Sequence, residues 1–208
     1  MRIHKTALNT IIISTLVGLL ALALGLFGLG MKFANGAQAA FAWGPLLLAI
    51  LAALVVSFLF GWLRYGVSGA LTLAVAVLHD QLLSLAMCAI YSLAFGLSGH
   101  AMPLLVAGLA FTYLFTVPVI RDARAQLMAN PSLTREQAAS QAVAAGRPLK
   151  VAVTLLSALV LLALAVGGNA QMYGSLLPLL SGLIAAALSS HLISPYIWAA
   201  GRPGRRRR

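Results

Sequence analysis

An acidic residue, Asp80, lies in the middle of the long apolar stretch 67–95. Apolar and small residues fill about half a bilayer on each side of the triplet His79-Asp80-Gln81, so a membrane helix here would place the carboxylate near the bilayer centre. An ionisable side chain at that depth costs about 2.5 to 3.5 kcal/mol on insertion scales. The rest of the chain must therefore supply a partner or a proton.

The composition is typical of a polytopic membrane protein. The chain has 208 residues, of which 62% are hydrophobic and 8% charged, whereas a soluble domain carries about 25% charged residues. A net charge of +11 could indicate nucleic acid, but the basic residues stand between apolar runs without interleaved aromatic residues. We therefore expect a membrane protein that does not bind nucleic acid.

The sequence contains no pattern that points to catalysis. It offers no nucleophile–base pair, no metal-ligand cluster and no phosphate-binding loop, so we expect no enzyme, no cofactor and no metal. The single cysteine, Cys88, lies inside an apolar run and is interpreted as a small core residue.

The apolar runs predict an all-α protein, with residues 1–208 forming one polytopic membrane domain. A cytoplasmic loop at 121–147 would contain a short helix between the fourth and fifth spans, because Thr134-Arg-Glu-Gln137 has the spacing of a capping box. The six predicted spans are about 10–31, 44–63, 67–95, 102–120, 148–166 and 173–200.

The basic residues predict the topology. Six spans put both termini on one side, and every lysine and arginine except Lys32 falls on that side, which the positive-inside rule assigns to the cytoplasm. The cluster Arg205–Arg208 is a stop signal that can also contact anionic lipid. Ala37-Gln38-Ala39 resembles a cleavage site, so removal of residues 1–39 is the alternative to a first span.

Small residues recur at every fourth position in the sixth span, at Gly182, Ala186 and Ser190. This spacing lets two helices approach closely. The alternative is that glycine and alanine are simply common in membrane helices.

Several short motifs follow one another in a defined order along the chain, namely Gly30-Met-Lys-Phe33, His79-Asp80, Arg121-Asp122-Ala123-Arg124, Ser132-Leu-Thr-Arg-Glu-Gln-Ala138 and the turn Gly167-Gly168. From Gly44 onward this order resembles SecF, the smaller subunit of the SecD–SecF protein-export accessory complex, which belongs to the RND superfamily. The resemblance implies a six-helix RND/SecF-like bundle in the bacterial inner membrane, with a SecD-like or RND-type partner.

Three departures separate the chain from that family. About a dozen residues occupy the place of the family's periplasmic domain between the first two spans. The Asn-Asp pair of the fourth span, to which the family ties its proton coupling, aligns with Leu114 and Phe115. The family's arginine at the start of the fifth span aligns with Pro148, next to Arg147. The resemblance therefore implies the fold more strongly than a proton-driven motor.

Asp80 has two interpretations at this stage. It either exchanges a proton or pairs with a cation, or it is held structurally by hydroxyl and backbone groups. Ser84, four residues on, shares its helix face and would suit a hydrogen bond. His79 lies about 100° around the helix from Asp80, so we expect a packing role for it.

The remaining polar candidates lie at the predicted membrane boundary. Arg121, Asp122, Arg124 and Arg147 are expected to be boundary charges. The alternative is that Arg121 or Arg124 pairs with Asp122 or with the helix of the cytoplasmic loop. His191 in the sixth span is expected to pack through a hydrogen bond.

Three functions remain open. The first is a SecF-like subunit that assists protein export with a SecD-like or RND-type partner. The second is a scaffold that has lost energy coupling and stabilises a larger membrane complex, which Phe115 favours. The third is an RND-related half-transporter for lipids or other hydrophobes. Membrane lipids are expected contacts in all three.

Overall fold

The computed structural model describes residues 43–98, 101–168 and 170–201, and this part of the chain is all-helical. The six helical elements are α1 (Trp43–Phe95), α2 (Ala101–Ala107), α3 (Leu109–Ala129), α4 (Arg135–Gly167), α5 (Ala170–Leu192) and α6 (Ser194–Ala200).

Four helical segments are long and apolar enough to cross a membrane, namely Gly44–Ser92, Ala101–Ala129, Arg135–Leu164 and Gly174–Ala200. Many large apolar side chains on α1 and α4 point outward, among them Leu63 at 86% and Leu149 at 71% exposure. Such a surface suits lipid rather than water. The predicted span 10–31 and the predicted cleavage of residues 1–39 lie outside the described residues.

Helix α1 is folded into two arms, 43–65 and 67–95. The bend is at Gly66, whose φ of 77° and ψ of −173° interrupt the helix, and a positive φ favours glycine. The arms run antiparallel, because Leu46 and Ile50 of the first arm share a core cluster with Leu85 of the second.

The second arm of α1 is the centre of the described bundle. Its residues Leu73, Ala76 and Val77 are fully buried. One core cluster joins Leu73 to α3, α4 and α6, while Cys88 and Ser84 face α5. Asp80 therefore lies on a helix arm that packs against several other helices.

The prediction of a separate short helix between the fourth and fifth spans is wrong. Helix α3 continues to Ala129, a turn follows at 130–134, and α4 then runs unbroken from Arg135 to Gly167. Pro148 removes one backbone donor inside α4, but the helix continues through it, as membrane helices tolerate.

The predicted capping box at the start of α4 is confirmed. The Thr134 backbone N–H donates to Gln137 Oε1 at 2.9 Å, and the Gln137 N–H donates to Thr134 Oγ1 at 3.2 Å. These two bonds fix where the long helix begins.

Several turns meet at one end of the bundle, which we call the basic end. It comprises the Gly66 bend, the turn 130–134 and the end of α6. Arg135 joins these three parts through contacts with Ser68 and Trp198. At the opposite end of the bundle, the hydroxyl oxygens of Ser98 and Ser175 lie 2.7 Å apart and share a hydrogen bond.

Candidate functional site

Three consecutive polar residues form the centre of the bundle. His79, Asp80 and Gln81 are exposed to only 7%, 1% and 2%. Neighbouring residues of a helix point about 100° apart, so the second arm of α1 is covered on all three sides at this depth. Buried polar groups at this depth require partners from other helices.

The carboxylate of Asp80 has two partners within the chain. Thr112 Oγ1, on α3, donates a hydrogen bond to Oδ2 at 2.7 Å. Nδ1 of His79 lies 3.3 Å from Oδ1. No lysine or arginine in the described ranges comes within 4 Å of this carboxylate. The site therefore consists of one acid, one imidazole and one hydroxyl.

His79, for which a packing role was expected, comes within 3.3 Å of the Asp80 carboxylate. Although the two side chains leave the helix about 100° apart, the imidazole turns toward the carboxylate. A buried pair of this kind is least costly when it is neutral overall, because an unpaired charge in a low-dielectric interior is heavily penalised.

Ser84 does not bond Asp80, although it shares its helix face. Its hydroxyl instead points to α5, where it lies 3.5 Å from the carbonyl oxygen of Pro178. Thr112 takes the role that the i, i+4 spacing assigned to Ser84. The threonine is on a different helix, so spacing along α1 could not indicate it.

Gln81 supports the junction between α2 and α3. Its Nε2 donates to the carbonyl oxygen of Leu105 at 3.2 Å, close to the helix break at Gly108. Its Oε1 is buried and has no hydrogen-bond partner among the described residues. The break is thus stabilised from the central helix.

Two glycines bring this junction against α5. A Cβ atom built on Gly182 would lie 2.9 Å from the Cα atom of Gly108, and one built on Gly108 would lie 3.3 Å from the Cα atom of Gly182. The two backbones therefore touch without side chains between them. Ala186 and Ser190, the other predicted packing residues, are fully buried on α5.

The basic end carries the predicted boundary charges. Arg121 Nε donates to Asp122 Oδ1 at 2.8 Å, although both side chains are well exposed. Arg124 Nη1 donates to the carbonyl oxygen of Arg64 at 2.9 Å, which ties α3 to the bend of α1. Arg147 is exposed on α4. The first contact matches the alternative in which an arginine pairs with Asp122.

Arg135 holds three helices together at the same end. Its guanidinium lies 4.2 Å from the centre of the Trp198 ring, a distance at which a cation–π contact is favourable. It also donates to the Trp198 carbonyl at 2.6 Å and to Ser68 Oγ at 3.0 Å. The first residue of α4 is thereby fixed to α6 and α1.

A groove of about 560 Å³ lies between the first turns of α4 and the α5–α6 junction. His191 lines this groove, and its Nδ1 lies 3.0 Å from the carbonyl oxygen of Ala187. Within the described ranges no group of three or more metal-ligating side chains occurs.

A family model described as "Protein export membrane protein SecD/SecF, C-terminal" matches residues 29–202. The chain belongs to the SecD/SecF family. No curated protein and no solved structure matches it. The resemblance drawn from His79-Asp80 and the other short motifs is confirmed, and the chain is a membrane protein of a protein-export family.

The SecD/SecF match contains both the Asp80 site and the basic end. It also contains Phe115, the residue that aligns with the aspartate to which the family ties its proton coupling. Phe115 is 2% exposed and packs with Leu183 and Ala186 of α5. An apolar contact thus occupies that place in this chain.

The structural roles of three residues of this SecD/SecF chain could not be read from the sequence. Thr112 is a lone hydroxyl in an apolar helix, and its position one helix away gives no local signal. Arg135 was noted only as part of the capping box. Lys150 was counted as a topology charge, yet its proximity to Pro148 inside the fifth span indicated that it lies below the boundary.

Proposed function

We propose that this chain is a non-enzymatic, SecF-like subunit of an inner-membrane protein-export complex and works with a SecD-like or other RND-type membrane partner. The family match over residues 29–202 carries this proposal. The resemblance to SecF supports the partner, and the positive-inside rule supports a multi-pass topology with the basic end in the cytoplasm.

Within that complex, we propose that the Asp80 site joins helices and does not drive export. Asp80 is satisfied inside its own bundle by Thr112 and His79, so it needs no partner from another subunit. Phe115 supports the same conclusion, because an apolar side chain cannot take up a proton. The subunit would then act as a scaffold.

Two substitutions at Asp80 distinguish a scaffold role from a proton-driven role in export. Asp80→Asn keeps an acceptor for Thr112 and a similar shape, but its amide cannot cycle a proton. Asp80→Leu has a similar size and removes the acceptor. Export of a secreted reporter is measured in cells that depend on the plasmid-borne chain, with protein levels followed in the membrane fraction.

A scaffold predicts that Asp80→Asn supports export within about twofold of the parent, while Asp80→Leu lowers the amount of folded protein. Loss of export in Asp80→Asn at unchanged protein level would refute the scaffold and favour proton coupling. The export assignment is tested separately, by depleting the chain. Unchanged secretion after depletion, with no membrane protein co-purifying in mild detergent, would refute it.

A further inference from the structure

Lys150 is a cation inside α4 that lacks a partner. Its side chain is 7% exposed, and its Nζ atom has no hydrogen-bond partner among the described residues. Taking an ammonium out of water without a compensating partner is strongly unfavourable. A lysine so placed calls for an anion that the described residues do not supply.

The side chain of Lys150 runs toward the basic end. A Cβ atom built on Gly146, one turn nearer that end, would lie 3.6 Å from Lys150 Cε. The side chain therefore folds back along α4 toward the basic end, the direction in which lysines near the ends of membrane helices commonly point. Any anion that meets it comes from the membrane surface at the basic end.

The ammonium lies on the face of α4 that packs against α3. Val153, three residues further on and so on the same face, packs with the core cluster of Phe115. The carboxylate of Asp122, on α3, acts electrostatically on Lys150 but does not bond Nζ. Asp122 is bonded by Arg121 instead, so two cations flank one acid and leave an excess positive charge.

The residues beside Lys150 face a lipid environment. Leu149 and Val151 are 71% and 46% exposed. An anion that approaches between α3 and α4 is therefore accompanied by apolar surface for acyl chains. This combination fits a phospholipid better than a free anion, and better than an acidic side chain of a partner protein.

We propose that the seam between α3 and α4 at the basic end binds one anionic phospholipid, whose phosphate accepts hydrogen bonds from Lys150 Nζ. Cationic pockets between membrane helices are known to bind such headgroups. The site lies apart from Asp80 and does not depend on the role assigned to it.

The test titrates the full-length protein, delipidated in mild detergent, with phosphatidylglycerol and with phosphatidylcholine, and counts bound lipid by native mass spectrometry. Lys150→Met removes the charge and keeps the length of the side chain. Arg124→Gln is the matched control, because it removes one charge from the same end at a side chain bound to Arg64. Inorganic phosphate is added in a third titration.

We expect one phosphatidylglycerol to bind more tightly than phosphatidylcholine, and Lys150→Met to weaken its binding about tenfold to hundredfold, as expected for loss of a charged hydrogen bond. Arg124→Gln should change it by no more than about fivefold, the effect of one surface charge. Lys150→Arg should retain the preference, which shows that loss in Lys150→Met is not misfolding.

Three results would overturn the proposal. If Lys150→Met and Arg124→Gln weakened phosphatidylglycerol binding equally, the binding would be explained by general attraction to positive charge. Displacement of the lipid by inorganic phosphate would indicate a free-anion site. Unchanged lipid binding in Lys150→Met, together with loss of a co-purifying membrane protein, would assign Lys150 to a protein interface.

Discussion

The contact between Gly108 and Gly182 predicts that Gly182→Ala destabilises the bundle. The added Cβ atom would lie 2.9 Å from the Cα atom of Gly108, whereas carbon atoms in contact prefer about 3.5 Å. The junction of α2 and α3 would have to move by about 0.6 Å. Because backbone, not a flexible side chain, is in the way, the strain is expected to cost about 1 to 3 kcal/mol.

Gly146→Ala is the matched control for this substitution. Both glycines lie inside helices, so the gain in helix propensity from alanine is similar in the two variants. At Gly146 the new Cβ atom would meet Lys150 Cε at 3.6 Å, an ordinary contact. The difference between the two variants therefore isolates the helix crossing.

The measurement is reversible unfolding in mixed micelles with increasing denaturing detergent, followed by helical circular dichroism. The free energy of unfolding of Gly182→Ala should fall about 1 to 3 kcal/mol below that of Gly146→Ala. Equal free energies in the two variants would show that α5 and the α2–α3 junction do not meet through these glycines.

Two further substitutions probe the site and the bend in the same unfolding assay. Thr112→Val keeps the shape of the side chain but removes the hydrogen-bond donor to Asp80, so we expect the free energy of unfolding to fall by about 1.5 to 3 kcal/mol. Thr112→Ser keeps the donor and should stay close to the parent. Equal losses of stability in the two variants would contradict the hydrogen bond. Gly66→Ala should cost about 1 to 2 kcal/mol because of its positive φ, although a Cβ atom there meets nothing within 4 Å. Gly44→Ala, equally open but inside the helix, is the control, and a Gly66→Ala variant as stable as Gly44→Ala would contradict the bend.

Local sequence features predicted much of the fold, because they act within one helix. The apolar runs and the capping box of Thr134 each depend on neighbouring residues, and the capping box lies where the described α4 begins. The predicted fifth span, 148–166, begins at Pro148, whereas α4 continues through this residue. A proline favours a helix end, but one missing donor does not outweigh the rest of a 33-residue helix.

The partners of Asp80 could not be predicted in the same way. Ser84 met every local criterion, yet Thr112 on α3 donates the hydrogen bond. The choice depends on how α3 and α5 approach the central helix, which the contact of Gly182 with Gly108 helps to set. The burial of Lys150 likewise depends on how α4 packs on α3. The spacing of residues along the sequence could not predict it, nor that its ammonium has no hydrogen-bond partner among the described residues.

The folded arms of α1 also constrain how the chain is made. The arms are joined by a single residue, Gly66, and run antiparallel, so they can leave the translocon as one helical hairpin. Asp80 then enters the membrane together with the strongly apolar first arm, which offsets its insertion cost of about 2.5 to 3.5 kcal/mol. Thr112, however, lies 32 residues further along the chain. During insertion the hairpin therefore places its acid in the bilayer before α3, which carries its main hydrogen-bond donor, and His79 is the partner available within the hairpin.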